Sequence, residues 1–115
     1  MIQIRVARNT DGAACAAIYR PIVEDTWIAF ETEAPSPVEM SRRIEATLLR
    51  FPWLIAADGE TVLGYAYAGA HRDRAAYRWS VDVTAYLADG ARRKGLGRRL
   101  YTILFDLLRR QGFHS

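Results

Sequence analysis

The chain has 115 residues, half of them hydrophobic and a quarter charged, with 16 Lys and Arg against 13 Asp and Glu for a formal net charge of +3. This is ordinary usage for one folded domain over residues 1–115, and it excludes disordered and collagen-like classes. No apolar run nears the ~18 residues that a bilayer span needs, and residues 1–11 alternate where a secretory leader would be apolar, so a cytoplasmic protein with no membrane partner is expected.

Ile2, Ile4 and Val6 alternate with Gln3, Arg5 and Ala7, which predicts a half-buried first strand. Asn9, Thr10 and Asp11 offer caps for a helix over Ala13 to Tyr19, ended by Pro21. Cys15, the single cysteine, falls within that alanine-rich helix as a core residue without a disulfide partner. Val23 to Thr32 has apolar content without a clean period and reads as a loop with a possible short strand. Ser36, Pro37 and Glu39 form a capping-box signature for a helix from Pro37 to about Arg50, which Phe51 and Pro52 stop.

Trp53 to Ala57, the Asp58-Gly59 turn and Thr61 to Ala70 then form a hairpin signature. A further strand runs from Ala75 to Leu87, with Val81, Val83, Ala85 and Leu87 on one face and Ser80, Asp82, Thr84 and Tyr86 on a more polar one. After a turn around Gly90, Leu96, Leu100, Leu104, Leu107 and Leu108 recur at helical spacing up to Gly112, as a core-facing stripe. The order is strand, helix, helix, three strands, helix, an α+β or α/β domain.

The stretch Arg92-Arg93-Lys94-Gly95-Leu96-Gly97, with Arg98 following, lies between a strand and a helix. First-turn amides of a helix have no intrahelical acceptor, the helix dipole favours negative charge there, and glycines admit phosphate oxygens close to the backbone. A pyrophosphate suits such a place. A Rossmann loop would need a third glycine where Leu100 stands, and the Walker pattern is missing. A plain glycine turn beside a solvated basic face is the remaining structural reading.

The pattern Arg/Gln-x-x-Gly-x-Gly/Ala between strand and helix resembles the acetyl-CoA signature of the GNAT superfamily. The runs Phe51-Pro52-Trp53-Leu54, Gly64-Tyr65-Ala66-Tyr67-Ala68-Gly69, Tyr77-Arg78-Trp79-Ser80-Val81-Asp82 and Phe30-Glu31-Thr32-Glu33 resemble the phosphinothricin N-acetyltransferase family within it, from Ile4 to Ser115. The resemblance implies a GNAT-type fold: a mixed, mostly antiparallel sheet flanked by helices. It implies acetyl-CoA as cosubstrate, its pantetheine arm held by the backbone of Ala85, Tyr86 and Leu87 and its pyrophosphate by Arg92, Arg93, Lys94, Gly95, Leu96, Gly97 and Arg98.

Acetyl transfer needs a deprotonated amine and a donor to the oxyanion. Asp82 is the candidate base, standing where the family's usual glutamate falls; it is one methylene shorter, which favours a bridging water. Phe30, Glu31, Tyr77 and Trp79 are candidate substrate contacts. His71 and His114 lack ligand-spaced neighbours, so no metal is expected.

Relatives of this kind extend another third beyond the position of Ser115, so an incomplete C-terminus is expected. The last sheet strands would then be lacking, and the edge of the Ala75–Leu87 strand would invite pairing with another chain, as a truncated product or an exchanged homodimer. The expected reaction is acetylation of a small amino-acid-like amine of the phosphinothricin or methionine sulfoximine type. The alternative is a catalytically impaired acyl-CoA-binding module. A nucleic-acid partner is not expected, because the basic patch is pocket-sized and lacks interleaved aromatic residues.

Overall fold

The computed structural model describes residues 2–25, 33–70, 81–88 and 95–111. Strand β1 (Ile2–Val6) leads through a 3-10 turn (Asn9–Asp11) into α1 (Gly12–Asp25); α2 (Pro37–Leu48), β2 (Trp53–Asp58), β3 (Thr61–Ala70), β4 (Val81–Leu87) and α3 (Leu96–Arg110) follow. The four strands form one sheet in the order β1-β2-β3-β4, and each neighbouring pair is antiparallel. The expected mixed sheet is thus wholly antiparallel among the described residues, with β4 at its edge.

The sequence signals of α2 act as read. Ser36 Oγ accepts the Glu39 amide at 3.1 Å, Pro37 fills the first turn, and the helix closes at Leu48, two residues short of the expected end. The Glu39 carboxylate turns to Arg42 at 3.0 Å and Arg43 at 3.5 Å. The expected end of the first helix at Pro21 is overturned: α1 continues through Pro21 to Asp25. Ile18 and Ile22 are buried one turn apart, while Ala17 and Pro21 face solvent. Burial of Ile22 carries the helix past the ~3 kcal/mol proline penalty, and the Ala17 carbonyl that loses its amide partner can meet water.

The helices divide between the two sheet faces. Leu96, Leu100, Leu104 and Leu108 of α3 form one core with Leu54, Ala56, Ala66 and Ala68. The other core places Cys15, Ile18, Tyr19 and Ile22 of α1 and Met40 and Ile44 of α2 over Trp53, Ile55, Ala57 and Tyr65. Alanines of β2 and β3, with Leu54, meet the leucines of α3, and Trp53, Ile55 and Tyr65 meet α1 and α2.

A bulge in β3 creates that division. Asp58 pairs with Thr61 and Ala57 with Val62, and the register then shifts by one so that Ala56 faces Gly64, Ile55 faces Tyr65 and Trp53 faces Tyr67. Leu63 is the extra residue. Continued without the shift, the first register would have set Trp53 opposite Ala66 and sent both tyrosines towards α3, since a slip of one residue exchanges the faces. Gly64 allows the close approach this requires: a Cβ there would lie 2.9 Å from Tyr86 O and against Leu87 Cδ2.

Gly12 serves the same purpose between helices, where a Cβ would overlap Ser41 Oγ and come within 2.7 Å of Pro37 O. Ser41 Oγ donates to Asn9 O at 2.7 Å, and Asn9 Nδ2 donates to Glu45 at 2.8 Å, fastening α2 to the 3-10 turn. Asp11 anchors that turn to β1. Its buried carboxylate accepts both Arg5 guanidinium nitrogens at 2.8 Å and the Arg8 amide at 2.7 Å.

Candidate functional site

The end of β4 and the start of α3 meet. A Cβ at Gly97 would stand 3.7 Å from Leu87 Cδ1, so the first turn of α3 lies beside the last residue of the edge strand. Gly95 precedes the helix at φ 65°, ψ 17°, the left-handed region in which glycine carries no steric penalty. The Arg99 amide bonds to Gly95 O at 3.2 Å, which leaves the amides of Leu96, Gly97 and Arg98 ahead of the first intrahelical bond. Leu96 is buried in the core, Gly95 and Arg98 are exposed, and a Cβ at Gly95 would meet nothing within 4 Å. An anion of the size of a pyrophosphate fits this end: glycine backbone, first-turn amides ahead of the intrahelical ladder and an exposed arginine, with no side chain over it among the described residues.

Of the expected cofactor residues, Ala85, Tyr86 and Leu87 lie on β4 and Leu96, Gly97 and Arg98 in the first turn of α3 behind Gly95, and the two groups meet at Leu87 and Gly97. Arg92, Arg93 and Lys94 lie outside the described residues, as do Phe30, Glu31, Tyr77 and Trp79. The backbone of Asp82 pairs with Gly69, one residue from the start of β4, and its side chain lies outside what is described. Residues 75–80 of the expected longer strand, and Gly112 and Phe113, are likewise outside.

The face of β4 expected to be polar is covered at its C-terminal end. The Tyr86 ring packs at 5.1 Å from Tyr19 and 5.6 Å from Tyr65, while Val83, Ala85 and Leu87 on the opposite face pack on the α3 core. Tyr86 therefore belongs to an aromatic layer that sequence reasoning missed. Trp53 stacks on Tyr67 at 4.4 Å and on Tyr65 at 5.5 Å. A cavity of about 300 Å³ opens over this layer, walled by Tyr19, Trp53, Tyr65, Tyr67, Tyr86 and Arg43 among others. The pattern Tyr65-Ala66-Tyr67 carried a signal for it, yet only the bulge places those rings on the same face as Trp53.

Burial pushes the Tyr65 hydroxyl far above the ordinary tyrosine range, so it stays protonated as a wall of the cavity. Burial also pushes the Cys15 thiol up to about 12, an inert core residue as expected. Asp11 is held below the usual carboxylate range, chiefly by its hydrogen bonds from Arg5. Among the described residues no group of three or more His, Cys, Asp or Glu could hold a metal, and no helix is long and apolar enough to cross a membrane.

Comparison with known proteins places this architecture. Residues 4–115 match the family described as acetyltransferase (GNAT) domain, and the chain belongs to that family. It is 39% identical over 114 residues to a phosphinothricin N-acetyltransferase of Streptomyces viridochromogenes, covering 99% of this chain and 62% of that protein. It is 33% identical over 112 residues to an L-methionine sulfoximine/L-methionine sulfone acetyltransferase of Salmonella typhimurium, covering 96% of this chain and 66% of that one.

Among solved structures, YncA of Salmonella typhimurium with its cofactor acetyl-CoA superposes with a TM-score of 0.90 at 32% identity, over 98% of this chain and 66% of that one. A phosphinothricin acetyltransferase of Sinorhizobium meliloti in complex with acetyl-CoA superposes with a TM-score of 0.80 at 36% identity, over 90% and 57%. The chain thus spans about three fifths of the length of the first of these relatives, 62%.

Proposed function

We propose that the chain is an N-acetyltransferase domain that transfers the acetyl group of acetyl-CoA to the amine of a small amino-acid-like substrate in the cytoplasm. The observation that carries this reading is the junction of β4 with α3, where Gly95 opens the helix beside Leu87. In two of the similar solved structures the bound molecule is acetyl-CoA. The relatives named above act on phosphinothricin, methionine sulfoximine and methionine sulfone.

In this reading the backbone of Ala85, Tyr86 and Leu87 lies along the pantetheine arm, and Arg92 to Arg98 surround the pyrophosphate, with Arg98 and the amides after Gly95 supplying donors. Acetyl-CoA supplies an activated thioester. The amine lone pair attacks its carbonyl carbon, the C–N bond forms, the C–S bond breaks, and the amine proton is lost to a base while the coenzyme A thiolate gains one. Asp82 takes the amine proton, directly or through water. An amide of β4 near Ala85 or Tyr86 steadies the oxyanion. Phe30, Glu31, Tyr77 and Trp79 contribute to the substrate side. The edge position of β4 is compatible with assembly as a homodimer.

Calorimetric titration with acetyl-CoA, paired with free-thiol release in the presence of methionine sulfone and phosphinothricin, tests this reading. Binding with thiol release is the expected result. Binding without release would instead identify an impaired acyl-CoA-binding module, and absence of binding would refute the activity for this chain.

A further inference from the structure

We propose that β1 is a self-pairing edge, through which two copies of the chain join their sheets about a two-fold axis at Ile4. β1 neighbours β2 and ends the described sheet on the side opposite β4. The Ala7 amide donates to Trp53 O at 2.8 Å, in register with the Val6–Leu54 and Arg5–Ile55 pairs. Backbone groups alternate in direction along an antiparallel strand, so Gln3, Arg5 and Ala7 bond towards β2 while the N–H and C=O groups of Ile2, Ile4 and Val6 point outward. The Val6 carbonyl accepts from Arg5 Nη1 at 3.3 Å, and its second lone pair can take another donor.

The side chains of the same three residues share the α3 face, since Ile4 pairs with Ala56 and Val6 with Leu54, both in the α3 core. The helix lies over β2, β3 and β4. Ile2 and Ile4 are only half-buried and Val6 is 56% exposed. A strand with outward donors and acceptors, β-branched side chains and an unbroken register is a template for another strand.

The order Ile2-Gln3-Ile4-Arg5-Val6 selects a second copy of the chain as that strand. Antiparallel pairing centred on Ile4 sets it against the partner's Ile4, and sets Ile2 and Val6 against the partner's Val6 and the partner's Ile2. These are the residues whose backbone groups face outward, so each pair closes two main-chain bonds, and their side chains join in one apolar strip. On the other face Gln3 stands across from the partner's Arg5, so no cation faces a cation, and each Arg5 is already met by Asp11 at 2.8 Å. An unrelated extended peptide would satisfy the backbone groups alone.

A five-residue strand from each copy is short of the ~1,000 Å² that a stable interface buries, so the dimer is weak, with a dissociation constant on the order of 10–1,000 μM. The contact is isologous, so each substitution acts on it twice. It leaves β4 and its junction with α3 outside the interface in both copies.

Sedimentation velocity from about 5 μM to about 1 mM, combined with amide exchange followed by NMR, tests the pairing. The wild type should dimerise with concentration. Exchange at Ile4 and Val6 should slow as it does, while Arg5 and Ala7, bonded to β2 in either state, should not change. Val6→Lys places a charge in the strip, and Val6→Pro removes an outward N–H without removing a bond to β2; each should raise the dissociation constant at least about tenfold. Thermal unfolding checks that the variants fold, and Val6→Lys decides the matter if Val6→Pro does not. A monomer throughout, or a dimer indifferent to these substitutions, would overturn the proposal. So would Ile4 and Val6 amides protected equally at every concentration, because another part of the same chain would then cover the edge.

Discussion

The two faces of the sheet are built on opposite size rules. Towards α3 the strands present Leu54, Ala56, Ala66 and Ala68, and four buried leucines of one helix at i, i+4 spacing pack on them. Towards α1 and α2 the strands present Trp53, Tyr65, Tyr67 and Tyr86, covered by a helix rich in alanine and carrying Cys15, and a cavity remains. One face holds the molecule together and the other has room to hold something else.

Shortening a leucine of α3 is the most damaging way to probe this contrast. Leu104 is fully buried in the closed face, and Leu104→Ala should cost about 2–5 kcal/mol, the range for a large-to-small change in a core that cannot collapse onto the void. Tyr67→Phe, on the open face, should cost no more than about 1 kcal/mol. Urea unfolding of both variants checks the pair; comparable losses would mean that the Tyr67 hydroxyl makes a strongly stabilising contact on the open face.

Beside the buried core of the open face, the Arg5–Asp11 pair ties the turn before α1 to β1. Arg5→Ala leaves that buried carboxylate without its bidentate partner and should cost about 1–3 kcal/mol near neutral pH. The pH dependence has a definite sign. Because the folded carboxylate titrates below its unfolded value of about 3.9, its contribution is fully present above that value and is lost as pH falls through the lower folded pKa. The stability gap between wild type and Asp11→Asn should therefore be level from about pH 5 to 7 and close in stronger acid. Denaturation curves from pH 2.5 to 7 measure it.

Gly95 and Gly97 sharpen the distinction between holding the fold and holding a ligand. Gly95→Ala forces a Cβ into the left-handed region and should cost about 1–2 kcal/mol. At Gly97 the added methyl would make an ordinary contact with Leu87 inside a helix, so Gly97→Ala should be neutral or up to about 1 kcal/mol more stable. If the proposed site holds the pyrophosphate against this turn, Gly97→Ala should nonetheless weaken acetyl-CoA binding. Thermal melts together with acetyl-CoA titration separate the two; unchanged affinity in Gly97→Ala would move the pyrophosphate away from this turn.

How much of this was legible in the sequence follows from the range of each interaction. The Ser36–Glu39 cap, the leucine ladder of α3 and the Asp58–Thr61 hairpin are set by neighbours within a few residues, and each was readable. The run of α1 past Pro21 was not, because what outweighs the proline is burial of Ile22 against a sheet distant in sequence. The start of α3 was legible through Gly95, whose signal is local. The aromatic cavity was hidden for a different reason: it depends on a one-residue bulge at Leu63, and the uninterrupted register predicts the reverse distribution of rings.

Cys15 gives the gentlest probe of the open face, because it needs no mutation. The thiol is fully buried beneath the aromatic layer, and its pKa is pushed to about 12, so at pH 8 the folded protein holds almost no thiolate. In the unfolded chain the same thiol titrates near 8.5 and reacts freely. Alkylation by iodoacetamide should then be negligible in native protein and should proceed only as fast as the face opens, with effectively no change in stability. If α1 lifts from the sheet on its own, labelling will outpace global unfolding measured by amide exchange in the Leu96–Leu108 ladder. Equal opening free energies would show that the cavity-bearing face, despite its looser packing, is as cooperative as the closed one.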